Sequence, residues 1–183
     1  MSSPSSVSLN YPIGKFSMPA VVAAGERRQW IEEIAAAPAA MRSAVAGLTA
    51  EQIETPYRPE GWTVRQVVHH VPESHMNAYL RFKWALTEDT PTIKPYNEAR
   101  WALTPEVAST PLEVSLATLE LVHDRWVRLL RAMSDADFER TYRHPEMADL
   151  GPIPLARMLA LYAWHGKHHV AHITGLRDRM GWK

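Results

Sequence analysis

Trp164-His165-Gly166-Lys167-His168-His169-Val170-Ala171-His172 places four of the chain's nine histidines in eight residues. The stretch sits in a longer pattern of period 3.6. Leu155, Met158, Tyr162, His165, His169, His172 and Leu176 step by three and four, which is the inward seam of a helix in a bundle. The competing seam, through Arg157, Leu161, Trp164, His168 and His172, begins on a charged residue. Phase therefore favours His165 and His169 as the inward pair and turns His168 to the side. Four residues apart, the pair stands one turn apart on one helical face, so both rings can reach one ion.

A second cluster, His69, His70 and His75, lies about ninety residues earlier. Thr63-Val64-Arg65-Gln66 has the form of a capping box and opens a helix expected to run to about Leu86. Val64, Val68, Val71, Ala78 and Phe82 form its apolar stripe, with His75 among them. Beside the stripe runs a polar row of Val67, His70, Ser74, Asn77 and Arg81, which either lines a water-filled cavity or is simply exposed. His70 leads that row and is the expected third ligand. His69 groups with Arg65 toward solvent, and His75 reads as core or as support for a ligand. Neutral imidazole is the commonest metal ligand, and two on one helix plus a third from elsewhere make an open three-nitrogen site.

The whole-chain quantities exclude several alternatives. At 183 residues the chain suits one domain with a sizeable core, taken as residues 1–183. Twenty basic residues balance twenty acidic ones, so no general attraction to nucleic acid or acidic lipid is expected. With no cysteine, disulfides, thiolate ligands and a cysteine nucleophile are ruled out, which fits the cytoplasm. The start, Met1-Ser2-Ser3-Pro4, has no basic region followed by an apolar run and reads as no signal peptide. No apolar stretch is long enough to span a bilayer.

The remaining elements follow from breakers and caps. Residues 1–24 read as an extended arm, able to fold over the body through Tyr11, Ile13 and Phe16. A first helix is expected over 25–47, kinked or broken at Pro38. Thr49-Ala50-Glu51-Gln52 is a capping box on a short turn. Pro72 should bend the second helix. Residues 87–110 form a long crossover connection that could serve as a specificity lid through Tyr96, Asn97, Arg100 and Trp101. A third helix is expected over 111–133, with Leu112, Leu116, Leu119, Val122, Trp126 and Leu130 on one face. Ser134 caps another short turn, residues 141–152 are irregular, and the fourth helix starts at Pro154 and lasts to about Met180. The fold class is thus all-α, four long helices with bundle-type seams and one long crossover.

Leu48 to Arg58 and Met133 to Arg143 share a capping hydroxyl, an apolar residue, a glutamate and a Tyr-Arg pair in the same order. The chain reads as two copies of helix, short turn, irregular corner and helix. A pseudo-twofold arrangement would bring the two histidine clusters face to face.

Glu73, Asn77, Arg81 and His172 are the remaining candidates for catalysis: a base at Glu73, an anion clamp at Asn77 and Arg81, and an orienting or proton-shuttling group at His172 or His75. His123 and His144 have no partner pattern and receive no role. Tryptophans 30, 84, 101, 126 and 164 read as core or pocket wall, and Lys167 and Arg177-Asp178-Arg179 as a solvated face.

The chain resembles the DinB/YfiT-like proteins over nearly its whole length, most of all the YfiT-type metal-dependent hydrolases. The likeness rests on Tyr11-Pro12-Ile13-Gly14, Thr55-Pro56-Tyr57-Arg58, Gly61-Trp62-Thr63-Val64-Arg65-Gln66-Val67-Val68-His69-His70, Ser74-His75-Met76-Asn77, Arg81-Phe82-Lys83, and Trp164-His165 with His169-Val170-Ala171-His172-Ile173. The resemblance implies an up-down four-helix bundle, a cytoplasmic homodimer and one Zn²⁺ or Ni²⁺ per chain on His70, His165 and His169. His172 stands where many members of the wider family have Gln, and YfiT-like members share it.

Three neutral ligands leave a divalent ion its full charge and an open position, which favours catalysis over a structural role. Water there is activated for hydrolysis of a small-molecule substrate. A low-molecular-weight thiol there is deprotonated, and the resemblance also implies thiol S-transferases, of which bacillithiol-type enzymes are the example. A third reading is a non-catalytic metal-binding stress-response module.

Overall fold

Thr63 ends one corner of the chain and starts a helix because its hydroxyl takes the place of a missing helical partner. A computed structural model describes residues 8–183 and shows the reciprocal cap: Thr63 Oγ1 accepts from Gln66 N at 3.2 Å, and Gln66 Oε1 accepts from Thr63 N at 2.9 Å. The same box forms at Thr49 with Gln52, and at Ser134 with Asp137 in the place of Gln. The first seven residues of the expected arm lie outside the described residues.

The element order is α1 (Ala24–Val45), α2 (Ala50–Ile53), α3 (Val64–Thr87), α4 (Glu98–Trp101), α5 (Pro105–Ser109), α6 (Leu112–Ala132), α7 (Asp135–Phe138), β1 (Thr141–Tyr142), a 3₁₀ turn (Pro145–Leu150), β2 (Ile153–Pro154) and α8 (Leu155–Met180). The four long helices fall where their hydrophobic periods put them. Gly181 ends α8 in the left-handed region, at φ 66°. Neither proline interrupts its helix: α1 runs on through Pro38 and α3 through Pro72. Each proline removes one amide donor, while the buried face on either side keeps the segment packed.

The expected four-helix bundle forms, with a neighbour order that periodicity alone does not reveal. Helix α1 packs on α6 and α8, and α3 packs on the same two helices. The first and second long helices, and likewise the third and fourth, therefore lie across the bundle diagonal. The stretches 46–63 and 133–154 make those crossings, and they are the two copies of the repeated corner. Their hydrogen bonds match: Val64 N donates to Thr55 O and Leu155 N to Arg140 O, while Pro56 bridges Thr63 and Thr141 pairs with Pro154. The second copy is long enough to count as a two-stranded antiparallel sheet. Under this exchange α3 and α8, the two histidine helices, pack directly on each other.

The core is the sum of the four inward stripes: Ile31, Ile34 and Met41; Val64, Val68, Val71 and Phe82; Leu116, Leu119, Trp126 and Leu130; Leu155, Met158, Leu159 and Ile173. Burying one such side chain contributes about 1.5–3 kcal/mol. On α6 the inward position belongs to His123, 2% exposed, and Val122 is only half-buried. No helix among the described residues is long and apolar enough to cross a membrane.

The 87–110 connection is packed rather than loose. Gln66 Nε2 donates to Ala102 O and Arg65 Nη1 to Thr110 O, and Ile93 N donates to Arg143 O. Along the arm, Tyr11 stacks on His168 with 5.9 Å between centroids, and Phe16 packs against Trp164 at 5.8 Å. Ile13, expected to join them, stays exposed.

Candidate metal centre

Helices α3 and α8 meet with their histidine faces inward. His70 from α3 and His165 and His169 from α8 each offer a ring nitrogen, and these nitrogens all lie within 4.8 Å of one another. His165 and His169, one turn apart, have ring centroids 4.5 Å apart, and His70 approaches His169 to 4.9 Å from across the interface. Part of the polar row on α3 lines a cavity: His70 and Ser74 face it, while Val67, Asn77 and Arg81 do not.

Two of the three rings have their second nitrogen already engaged. His165 Nδ1 lies 3.0 Å from His75 Nε2. His169 Nδ1 lies 3.4 Å from His172 Nδ1, and His172 Nε2 reaches the Asn10 carbonyl at 3.3 Å. A carbonyl only accepts, so His172 donates through Nε2 and accepts through Nδ1 from His169. Nε2 is then the lone-pair nitrogen on His169. His70 Nδ1 is buried and has no hydrogen-bond partner among the described residues.

Desolvation keeps this cluster uncharged. Burial lowers His70 to about 4, and lowers His165 and His169 well below the ordinary value, with mutual repulsion adding to the effect. His172 falls to about 4 through burial, opposed by its bond to Asn10. Neutral imidazoles with converging lone pairs are the donor set that a divalent cation takes, and the buried, unpartnered Nδ1 of His70 marks a polar group left unsatisfied by the protein alone. The residues present fit such an ion.

Aromatic walls hold the rings in place. Trp62 lies against His70 at 4.7 Å and stacks near His169 at 6.4 Å. Tyr57 stacks on His172 with centroids 3.9 Å apart, and Trp164 stacks on His168 at 4.2 Å. The cavity outside the nitrogens has a volume of about 530 Å³, in the range of small-molecule pockets. Ser74, Tyr96 and Tyr162 supply hydroxyls to its wall, and Arg58, Glu60 and Glu98 charge its mouth.

The other expected residues divide. Glu73 is half-buried and outside the cavity lining, and burial with repulsion from Glu106 raises its pKa. Asn77 donates to the Glu73 carbonyl in its own helix and also stays out of the lining. Arg81 is buried behind the wall, where Nη1 reaches Tyr162 Oη at 3.5 Å and Nη2 reaches Lys94 O at 3.4 Å. Of the connection, Tyr96 and Glu98 line the cavity, while Asn97 caps α4 and Arg100 is exposed.

The expectation for His69 is reversed. His69 is buried, not solvent-facing, because Nδ1 bonds Ser115 Oγ on α6 at 2.6 Å. His123, given no role, lies 2.8 Å from His75 through its Nε2. Trp62 and Tyr57 escape a search for ligands, since they act through ring faces alone.

The family model of the DinB superfamily matches residues 33–173. A protein of Geobacillus kaustophilus (strain HTA426) is 52% identical over 174 residues, covering 95% of this chain and 97% of its own. One from Bacillus mycoides (strain KBAB4) is 50% identical over the same length. Both are named provisionally as metal-dependent hydrolases. YfiT from Bacillus subtilis, described as a probable metal-dependent hydrolase with an unusual four-helix bundle topology, superposes with a TM-score of 0.91 at 44% identity, covering 96% of this chain and 99% of that one. With a family match over most of its length and relatives at half identity, the chain belongs to the DinB superfamily.

Proposed function

We propose that this chain is a metal-dependent hydrolase in which His70, His165 and His169 hold one divalent ion, Zn²⁺ or Ni²⁺. The observation that carries the proposal is the convergence of three neutral ring nitrogens within 4.8 Å at the end of a cavity. The provisional names of the relatives point the same way. Bound there, the ion would supply Lewis acidity and activate water at neutral pH.

The protein's own residues do the rest. Trp62 and the Tyr57–His172 stack flank the nitrogens and restrict water to the cavity side. His75 and His172 hold the N–H groups of two ligands, fixing which nitrogen faces the cavity. Ser74 and Tyr96 can hydrogen-bond a substrate's polar groups beside the reacting bond. A cavity of about 530 Å³ restricts the substrate to a small molecule.

The test has two arms. Elemental analysis of unstripped protein, followed by Zn²⁺ and Ni²⁺ titration of stripped protein, should give one ion per chain. Ester and amide panels should then show turnover that needs the ion and disappears in His169→Ala. Protein that neither carries nor takes up metal would sink the proposal. Conjugation of monochlorobimane that requires an added thiol, with no thiol-free hydrolysis, would replace it with thiol S-transfer at the same residues.

A further inference from the structure

Two buried histidines outside the ligand set form an unbroken line with His165. His165 Nδ1 is 3.0 Å from His75 Nε2, His75 Nδ1 is 2.8 Å from His123 Nε2, and His123 Nδ1 is 2.7 Å from the carbonyl oxygen of Ile34. The line crosses the bundle from α8 through α3 and α6 to α1. His75 is fully buried and His123 is 2% exposed.

The far end dictates every proton. A carbonyl has no hydrogen to give, so His123 must carry its proton on Nδ1. A neutral ring then has only a lone pair on Nε2, which makes His75 the donor through Nδ1. His75 in turn accepts on Nε2, which makes His165 a donor through Nδ1. The lone pair of His165 is thereby assigned to Nε2. One backbone oxygen, separated from the ligand by two rings, determines which of its nitrogens is available. Burial, which brings His123 to about 4, keeps that ring neutral at pH 7, as this logic requires.

That oxygen is free for a reason written in the sequence. In an α-helix the carbonyl of residue i accepts from the amide of residue i+4. For Ile34 that residue is Pro38, which has no amide hydrogen, yet α1 runs continuously through it. The proline removes the competing donor, and His123 takes its place. The rings are also clamped laterally. His75 stacks with His123 at 15° and meets Trp126 and Tyr162 edge-on at 87° and 90°. Beside them, Gly166 leaves room: a Cβ there would lie 3.2 Å from Ala37 Cβ and 3.6 Å from His75 Cε1.

We propose that Pro38, the Ile34 carbonyl, His123 and His75 form a positioning relay that fixes the tautomer and ring orientation of His165 before any ion arrives. The functional consequence rests on the metal-site reading above, and the tautomer pattern does not. His75 and His123 are positioning residues, acting on the site through His165.

Long-range ¹H–¹⁵N NMR of the metal-free protein reads the tautomers directly. The expected result is Nδ1–H on His123, His75 and His165. Nε2–H on His75 or His123 would overturn the relay whatever the protein's activity. Variants then test its effect on the site. A glutamine at 123 can donate to Ile34 O and accept from His75, whereas a leucine can do neither. Zn²⁺ affinity, measured by chelator competition, should fall about 10-fold or more in His123→Leu and stay within a few-fold in His123→Gln. Equal affinities in the two variants would reject the relay and leave a purely structural histidine. Pro38→Ala, which leaves every ring of the relay in place and returns an amide donor to Ile34, should weaken Zn²⁺ binding several-fold and mix the His165 tautomers. An unchanged His165 tautomer in Pro38→Ala overturns the assigned role of the proline even if the leucine variant fails to fold. If wild type takes up no metal while the three tautomers match, the metal-site reading fails and the relay stands as a structural fact.

Discussion

The Tyr57 ring lies 3.9 Å from the His172 ring at an angle of 22°. His172 is thereby held with one nitrogen on the Asn10 carbonyl and the other toward His169. Tyr57→Phe keeps the stacked face and should leave Zn²⁺ affinity within a few-fold of wild type. Tyr57→Ala removes a contact worth about 0.5–1.5 kcal/mol beyond its buried area, and should weaken both thermal stability and Zn²⁺ binding. Chelator competition and thermal melts on the two variants check this. Equal metal affinity in both would show that the stack does not serve His169.

His70 gives a test that separates function from stability. Its buried Nδ1 has no partner among the described residues, so the metal-free fold gains little from it. His70→Leu should keep or raise the melting temperature of stripped protein while abolishing Zn²⁺ uptake. In wild type, Zn²⁺ at about 100 times its Kd should add about 2.7 kcal/mol, and His70→Leu should lose that increment. A stripped variant that melts far below stripped wild type contradicts the assignment.

Stability of the metal-free protein should fall on acidification. Burial sets His123 at about 4 in the fold, against 6.5 when exposed. Between these values the unfolded chain binds more protons than the folded one, so the contribution is fully present above about 6.5. It is lost as pH drops toward 4, at up to about 1.4 kcal/mol per pH unit for one such histidine. Urea melts of wild type and His123→Gln at pH 7 and pH 5 check the sign. The variant should lose less stability across that interval, and identical losses would refute the account.

At Gly166, α8 comes close to α1 beside His75. Gly166→Val pushes Cβ toward Ala37 at 3.2 Å and should cost about 1–3 kcal/mol through overpacking. Because the same carbon would contact His75 Cε1 at 3.6 Å and the valine methyl groups extend beyond it, the variant should also disturb His165 in NMR spectra. A valine that raises stability without moving those signals would show that the gap is slack.

Much of this arrangement is legible in the sequence wherever a repeating pattern carries it. Two capping boxes, the capping Ser134 and the four long helices follow from residue spacing, and the seam through His165 and His169 follows from phase. His70 is separated from His69 by the same logic, although His69 turns out to be buried. Its partner Ser115 lies on another helix, and no local pattern announces a hydrogen bond across 46 positions. His123 sits in an apolar stripe between Leu119 and Trp126, so the signal is present but looks like an ordinary core position. Its meaning depends on a carbonyl freed by Pro38, and a proline within a helix reads first as a break. The diagonal crossings from α1 to α3 and from α6 to α8 are equally hidden, since periodicity fixes which face is inward and not which neighbour it meets.

The pairing of α3 with α8 has a further consequence. His70 belongs to the first of the two repeated halves, and His165 and His169 belong to the second. Neither half holds a complete donor set. An ion at that junction would act as a clasp fastening one half of the polypeptide to the other. A chain severed in the connection between α3 and α6 would then become a two-part lock, its fragments closing on each other in proportion to the free metal around them.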